Sequence, residues 1–410
     1  MKVKLVRNRK IEDYSSIIGE EEIEKIKNVA EKIRRLKVVH VNSTSFGGGV
    51  AEILHSLIPL FNSVGVKAVW EVMEAPEEFF HVTKKLHNGI QGMKVDLSEE
   101  EKKLYLEVNR ENAEKLDLEG DAIIIHDPQP AAIISFANKE SPWAWRCHID
   151  ASTPYKPIWD FVSEFITRYD AYIFHMENYV KPELSRKRVW IIKPSIDPLS
   201  DKNRELSDTE VLRILERYDI DPEKPILVQV ARFDPWKDPL GAIDVYRIVK
   251  KKLGEAQLLL VASMAHDDPE GWIYYEKALR HAGEDYDIHF LTNLVGVGDI
   301  EVNVFQRAAD VALQMSTREG FGLAVTEALW KKTPVVARGV GGIVSQVIDG
   351  WNGYLINTVE EAAERAIRLI KDKKLREKMG ENGREFVKRN FLITRHLRDY
   401  LSLVSSLIQD

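Results

Sequence analysis

One cysteine, Cys147, in 410 residues rules out an intrachain disulfide and a thiolate metal cage. No apolar run nears the roughly 20 residues that a membrane-spanning helix needs. Met1 opens onto a Lys- and Arg-rich stretch rather than a hydrophobic signal core. These absences predict a cytoplasmic protein. An excess of basic residues is missing too: the formal net charge is −7, which argues against a dedicated nucleic-acid binder. Low-complexity tracts and short repeats are absent. What remains, 44% hydrophobic and 30% charged residues, is ordinary for a soluble globular chain. The length admits roughly two to three domains with sizeable cores.

Runs with buried-strand character fall at 37–43, 67–73, 121–125, 144–149, 171–174 and 189–193, with helical periodicity between them. Pro194 and Pro198, then a polar stretch reaching Asp208, read as a boundary. Alternation restarts with strands at 226–231, 257–262, 288–291, 311–315, 334–337 and 354–356. Strands alternating with helices predict parallel sheets covered on both faces. The expected fold is α/β, with two doubly wound Rossmann-like domains at 1–196 and 197–393 and a last helix, 394–410, packing back on the first. Ligands of such sheets sit beyond the carboxyl ends of the strands, so an interdomain cleft is expected to hold the substrate. The charged helical segment before Lys37 suits either a homodimer contact or a solvated cap.

The chain is organised around the stretch from Ser316 to Leu329. A buried strand precedes it and a helix follows, so Gly320 and Gly322 mark a sharp turn that a ligand can approach closely. The first amides of the helix and its positive end make an anion site. Glu319 before the helix and Glu327 within it would repel phosphate itself. They suit hydroxyl groups on either side of one: a sugar at one end and a ribose at the other, as in a nucleotide sugar. A lone Gly-x-Gly would more often be a hinge with two solvated glutamates; the upstream residues decide the matter. Arg232 and Lys237, five positions apart after the first strand of the second domain, can flank a diphosphate, although any Arg and Lys are more often a solvated surface pair.

Other motifs carry less. Gly47, Gly48 and Gly49 after the first strand lack the Gly-x-Gly-x-x-Gly spacing; a tight packing turn competes with a loop whose amides approach a sugar or phosphate. On a strand at 144–149, Arg146, His148 and Asp150 share one face and Cys147 the other, which removes a Cys–His nucleophile. His148 and Asp150 bind sugar hydroxyls or are a hydrogen-bonded structural pair. Asp127, in His126-Asp127-Pro128-Gln129-Pro130, accepts from an acceptor hydroxyl or belongs to a rigid turn. Asp285-Tyr286-Asp287 matches a metal-holding Asp-x-Asp pattern but precedes a strand, at the wrong end of the sheet, and reads as a surface loop. His266, Asp267 and Asp268 lack recognisable ligand spacing. No metal or other cofactor is expected.

From Lys37 onward these residues resemble the large family of retaining, metal-independent glycosyltransferases of GT-B architecture. Its paired glutamates are matched by Glu319 and Glu327, with seven residues between them that include Gly320-Phe321-Gly322-Leu323. Its basic pair is matched by Arg232 and Lys237, and its glycine loop by Gly47 to Gly49. The segments 126–130 and 145–150 are similar to the branch of trehalose-forming transferases and trehalose phosphorylases. The resemblance implies a reversible transfer from NDP-glucose (UDP- or ADP-glucose) to glucose, giving α,α-trehalose. It also implies roles: Arg232 and Lys237 on the leaving diphosphate, Glu327 on the ribose, Glu319 on donor hydroxyls and His148 on the donor sugar. Asp127 and Asp150 would face the acceptor. The retaining step would be a front-face substitution in which the leaving phosphate takes the acceptor proton. Competing readings keep the same motifs: a trehalose phosphorylase using inorganic phosphate, a transferase with another small acceptor, a UDP-sugar epimerase, and a non-catalytic nucleotide-sugar sensor.

Overall fold

A computed structural model describes residues 1–3, 9–46, 48–184, 188–264 and 269–409. The chain divides into two units, Met1–Ser195 with Ile393–Asp410, and Ile196–Leu392. Gly47 and the trio His266, Asp267 and Asp268 lie outside the described residues.

The first unit holds six strands: β1 (Lys37–Asn42), β2 (Lys67–Val72), β3 (Ala122–His126), β4 (Trp143–Arg146), β5 (Ala171–Phe174) and β6 (Arg188–Ile191). They pair in the order β2-β1-β3-β4-β5-β6, all parallel. Runs such as Ile123-Ile124-Ile125 are buried throughout, as both faces of a covered parallel sheet require. One face packs Val39, Val41, Ile123, Ile125, Trp143 and Trp145 against the helices Glu77–Ile90, Glu99–Lys115 and Lys156–Ile166. The helices Gly48–Ser63, Glu20–Glu31 and Ile393–Gln409 pack together and belong to the same unit. The last of these is tied down at its start, where Arg395 Nη2 donates to Lys193 O at 2.7 Å and to Pro194 O at 3.0 Å.

The second unit repeats the design with β7 (Ile226–Val230), β8 (Gln257–Ala262), β9 (Ile288–Thr292), β10 (Val311–Gln314), β11 (Val335–Arg338) and β12 (Gly353–Ile356). The order is β12-β11-β10-β7-β8-β9, again parallel. In both sheets the chain builds outward on one side and then returns to the other side of its first strand. The switch lies between β1 and β3 in the first unit and between β7 and β10 in the second, and crevices for ligands open at such switches.

One expectation changes in detail. The strand expected at 144–149 ends at Arg146, because the Asp127 carboxylate accepts from the His148 amide at 2.7 Å and takes the donor that a further rung would use. Sidedness nonetheless persists: Cys147, Ile149 and Ala151 continue into the apolar cluster. The polar stretch from Asp197 to Asp208 is part of the second unit and packs into it. Asn203 is fully buried, accepting from Trp330 Nε1 at 3.1 Å and from Lys331 Nζ at 2.8 Å.

Leu397 and Leu401 of the C-terminal helix are fully buried, whereas Ile408 is 36% exposed. Leu401→Ala should therefore destabilise the first unit by about 2–5 kcal/mol, read as a fall in its calorimetric transition. Ile408→Ala should stay within about 0.5 kcal/mol of the parent. Equal effects would mean that the helix is not docked through this face.

Candidate active site

In the second unit, the loops that follow β7 and β10 meet at the switch point. Thr317 N donates to Trp236 O at 2.7 Å, and Gln229 bridges them, accepting from Met315 N at 3.1 Å and donating to Lys237 O at 3.1 Å. This stitching brings Lys237 Nζ to 2.6 Å from Glu319 Oε2, with the two side chains only 16% and 10% exposed. Glu319 Oε2 also accepts from Ser316 Oγ at 3.2 Å and Gln314 Nε2 at 3.3 Å. The reading by resemblance gave Lys237 and Glu319 to different parts of a ligand; the structure pairs them with each other. Such a pair, sheltered from water, holds its geometry, and removing one member leaves a poorly solvated charge.

Arg232 lies at the rim, 66% exposed, with Nη2 3.2 Å from Asp234 Oδ2. Gly322 has φ +82° and caps the helix Leu323–Trp330, a left-handed turn that glycine adopts readily. Gly320 O accepts from Gly342 N at 3.0 Å, and Phe321 O accepts from Gln346 Nε2 at 2.5 Å. Glu327 is buried inside that helix, its Oε1 3.6 Å from Lys202 Nζ.

Residues without a motif complete this arrangement. Arg338 at the end of β11 donates from Nη1 to Asp238 Oδ2 at 2.7 Å and to Met315 O at 2.5 Å. Gly341 and Gly342 press on the glutamate loop: a Cβ on Gly341 would lie 1.7 Å from Glu319 O, and one on Gly342 2.5 Å from Phe321 Cα. The signal was Gly339-Val340-Gly341-Gly342 directly after a strand. Lys202 hid in the polar stretch taken as a boundary. Asp285 and Asp287, before β9, are both held by Lys250, at 2.7 and 2.8 Å.

In the first unit the ends of β3 and β4 bring Asp127 and His148 together. Asp127 sits at φ +67°, a left-handed conformation that Asp tolerates better than most residues. Its amide donates to Arg146 O at 2.7 Å, and its O accepts from Trp145 Nε1 at 2.9 Å. Desolvation pushes its carboxyl up to about 7. Asp150 instead accepts from the Ser152 amide at 2.9 Å, closing its own turn. Gly48 (φ +75°) and Gly49 open the helix Gly48–Ser63 and are exposed. Cys147 is fully buried, and its thiol is pushed up by desolvation.

His40, His126 and His396 are buried, and so is Arg146, whose charge acts on His126 and His396. Burial alone lowers His40 to about 3; it also holds His126 and His396 well below the usual imidazole range, helped by His40 and Arg146 at His126 and by Arg395 and Arg146 at His396. A histidine depressed in the folded state binds its proton first in the unfolded chain. Its contribution is present above pH 6.5 and is lost as pH falls, at up to about 1.4 kcal/mol per pH unit for each group. Asp127, raised instead, works in the opposite direction between about pH 4 and 7 and offsets one histidine. Unfolding free energy measured in denaturant should therefore fall between about pH 6.5 and 5, and His396→Leu should flatten the slope. An unchanged slope would exclude His396 as a contributor.

Residues 40–181 match the family "Trehalose synthase, N-terminal domain", and residues 212–386 match "Glycosyl transferases group 1". The trehalose synthase of Pyrococcus horikoshii is 58% identical over 401 residues, covering 97% of each chain. That of Rubrobacter xylanophilus is 47% identical over 407 residues, covering 98% of each. Among solved structures, "Trehalose-6-phosphate from E. coli bound with UDP-2-fluoro glucose" is similar with a TM-score of 0.73 at 14% identity, over 90% of this chain and 99% of that one. At that identity the likeness concerns the fold, which is GT-B: two doubly wound domains. No described helix is long and apolar enough to cross a membrane. The chain belongs to the trehalose synthase family of glycosyltransferases.

Proposed function

We propose that the protein transfers glucose from an NDP-glucose to glucose with retention of configuration, forming α,α-trehalose and NDP in a reversible reaction that requires no metal. The observation that carries this reading is the sheltered Lys237–Glu319 pair at the β7/β10 switch, beside Arg232 and the glycine-capped start of the helix Leu323–Trp330. Cations and helix amides directed at a diphosphate stabilise its departure more than they stabilise the bound donor. Glu319 then serves the donor hydroxyls and Glu327 the ribose. UDP-2-fluoro glucose bound to the E. coli protein of like fold supports a nucleotide-sugar donor.

His148 contacts the donor sugar; Asp127 and Asp150 face the acceptor, together with the glycine turn at Gly48 and Gly49. A retaining glycosidase would use a carboxylate nucleophile. Here the acceptor oxygen attacks from the side that the diphosphate leaves, and a phosphate oxygen takes its proton. The C–O bond to the diphosphate breaks as the new glycosidic bond forms, so charge and atoms balance without a further reagent.

Purified protein given UDP-glucose or ADP-glucose, each with and without glucose and in the presence of a chelator, tests this by proton NMR of the anomeric signals. The expected result is NDP release that depends on glucose and a single α,α-linked disaccharide. Glucose 1-phosphate formed from trehalose and inorganic phosphate, with no turnover of either NDP-glucose, would replace the reading by phosphorolysis.

Lys237→Ala and Glu319→Gln should each lower kcat/KM about 10²–10³-fold. A near-normal Glu319→Gln enzyme would overturn the site assignment.

A further inference from the structure

His148 is the outer end of a row of three imidazoles. His40 Nδ1 lies 3.0 Å from His126 Nε2, and His126 Nδ1 lies 3.0 Å from His148 Nε2. Successive rings are nearly parallel, at 23° and 21°. Sheet register creates the row. His40 on β1 pairs with Ile124, so His126 stands two residues further along the neighbouring strand. His126 on β3 pairs with Arg146, so His148 again stands two further along. Steps of two keep side chains on one face. His40 and His126 are buried, and His148 is partly exposed.

Each nitrogen–nitrogen contact accommodates one proton. Three neutral rings carry three protons, so one N–H remains at an end of the row. If the protons point inward, His40 Nε2 carries it, and that atom is buried with no hydrogen-bond partner among the described residues. A buried donor without an acceptor costs its full desolvation penalty. If they point outward, His40 Nε2 is a bare lone pair and His148 presents Nδ1–H. Orphaned donors are rarer in folded proteins than under-used acceptors; the outward polarity is favoured.

We propose that His126, backed by His40, is a positioning residue that fixes His148 as its neutral Nδ1–H tautomer, so that His148 donates to a hydroxyl of the donor sugar without bringing positive charge to the oxocarbenium-like centre. This rests on the assignment of His148 to the donor sugar made above. The Asp127 carboxylate holds the His148 amide at 2.7 Å, so backbone and ring are fixed independently. The ionisable groups around His148 are His126 and Asp127 at the end of β3, Arg146 on β4, His175 after β5 and His396 on the C-terminal helix. Burial, then the Arg146 charge, keeps the ring neutral.

Nitrogen-15 NMR of the unliganded, histidine-labelled protein reads the tautomer directly, with His148→Gln assigning the signal. The expected state is a protonated Nδ1 and a bare Nε2 between about pH 6 and 8, where an unperturbed imidazole titrates. A protonated Nε2, or an imidazolium, would overturn the proposal. In turnover, His126→Phe should lose about 10-fold in kcat with little change in the KM for glucose. The acid limb of its pH profile should move up by about one unit. His126→Asn, whose amide N–H can stand in for Nδ1–H, should restore most of both. A His126→Phe enzyme that matches the parent in rate and profile refutes the positioning role. His148→Ala separates the two readings: unchanged kcat there overturns the assignment of His148 to the sugar, whatever tautomer the ring holds.

Discussion

Parallel pairing is the constraint on which the rest of this molecule depends. A parallel strand must be followed by a crossover, so every strand of a sheet ends on the same edge. The named strands of both sheets pair in parallel, and each unit therefore collects the loops that follow them along one rim. Where the order reverses, two neighbouring loops diverge and leave room for a ligand. Lys237 follows β7 and Glu319 follows β10, 82 residues apart in sequence, yet they are in contact because these strands flank the switch. Asp127 and His148 meet by the same logic, from the adjacent ends of β3 and β4.

The two units differ in the titratable groups gathered near their strand ends. The second keeps ionised groups in sheltered ion pairs: Lys237 with Glu319, Lys202 with Glu327 and Arg338 with Asp238. The first gathers histidines that burial keeps uncharged. That division suits a reaction whose transition state separates charge. In the proposed reaction, developing negative charge on a diphosphate would be met by fixed cations, which act strongly where water is excluded. Developing positive charge on a sugar ring is better met by neutral donors and carboxylates than by another cation.

Sequence pattern revealed the alternation because strands buried on both faces are continuous apolar runs, such as Ile123-Ile124-Ile125, which no amphipathic period obscures. The candidate charged residues of the second unit were picked out for a related reason: Arg232, Lys237 and Glu319 stand in the loops that follow such runs. Two kinds of feature were not legible. Pairing partners distant in sequence, such as Lys202 for Glu327, fall in stretches whose composition is that of any exposed turn. The histidine row was invisible for a different cause. His40 reads as one polar interruption in an apolar strand, and only register places it two residues behind His126 and four behind His148.

The glycine pair at 341 and 342 shows how closely the loops are fitted. Gly341 adopts φ +50°, and its Cα faces Glu319 O so nearly that any side chain would collide with the backbone. A backbone contact cannot be relieved by a rotamer change, so a larger residue at 341 would have to move the Glu319 loop itself. Glu319 is held on its other side by Lys237, Ser316 and Gln314. Its carboxylate thus has its position set by two independent constraints, one steric through the main chain and one electrostatic through the side chain. Under the proposed function Glu319 would have to discriminate a transition state from a ground state by fractions of an ångström, and such a group needs that redundancy, because a single flexible restraint would follow the substrate instead of selecting among its states.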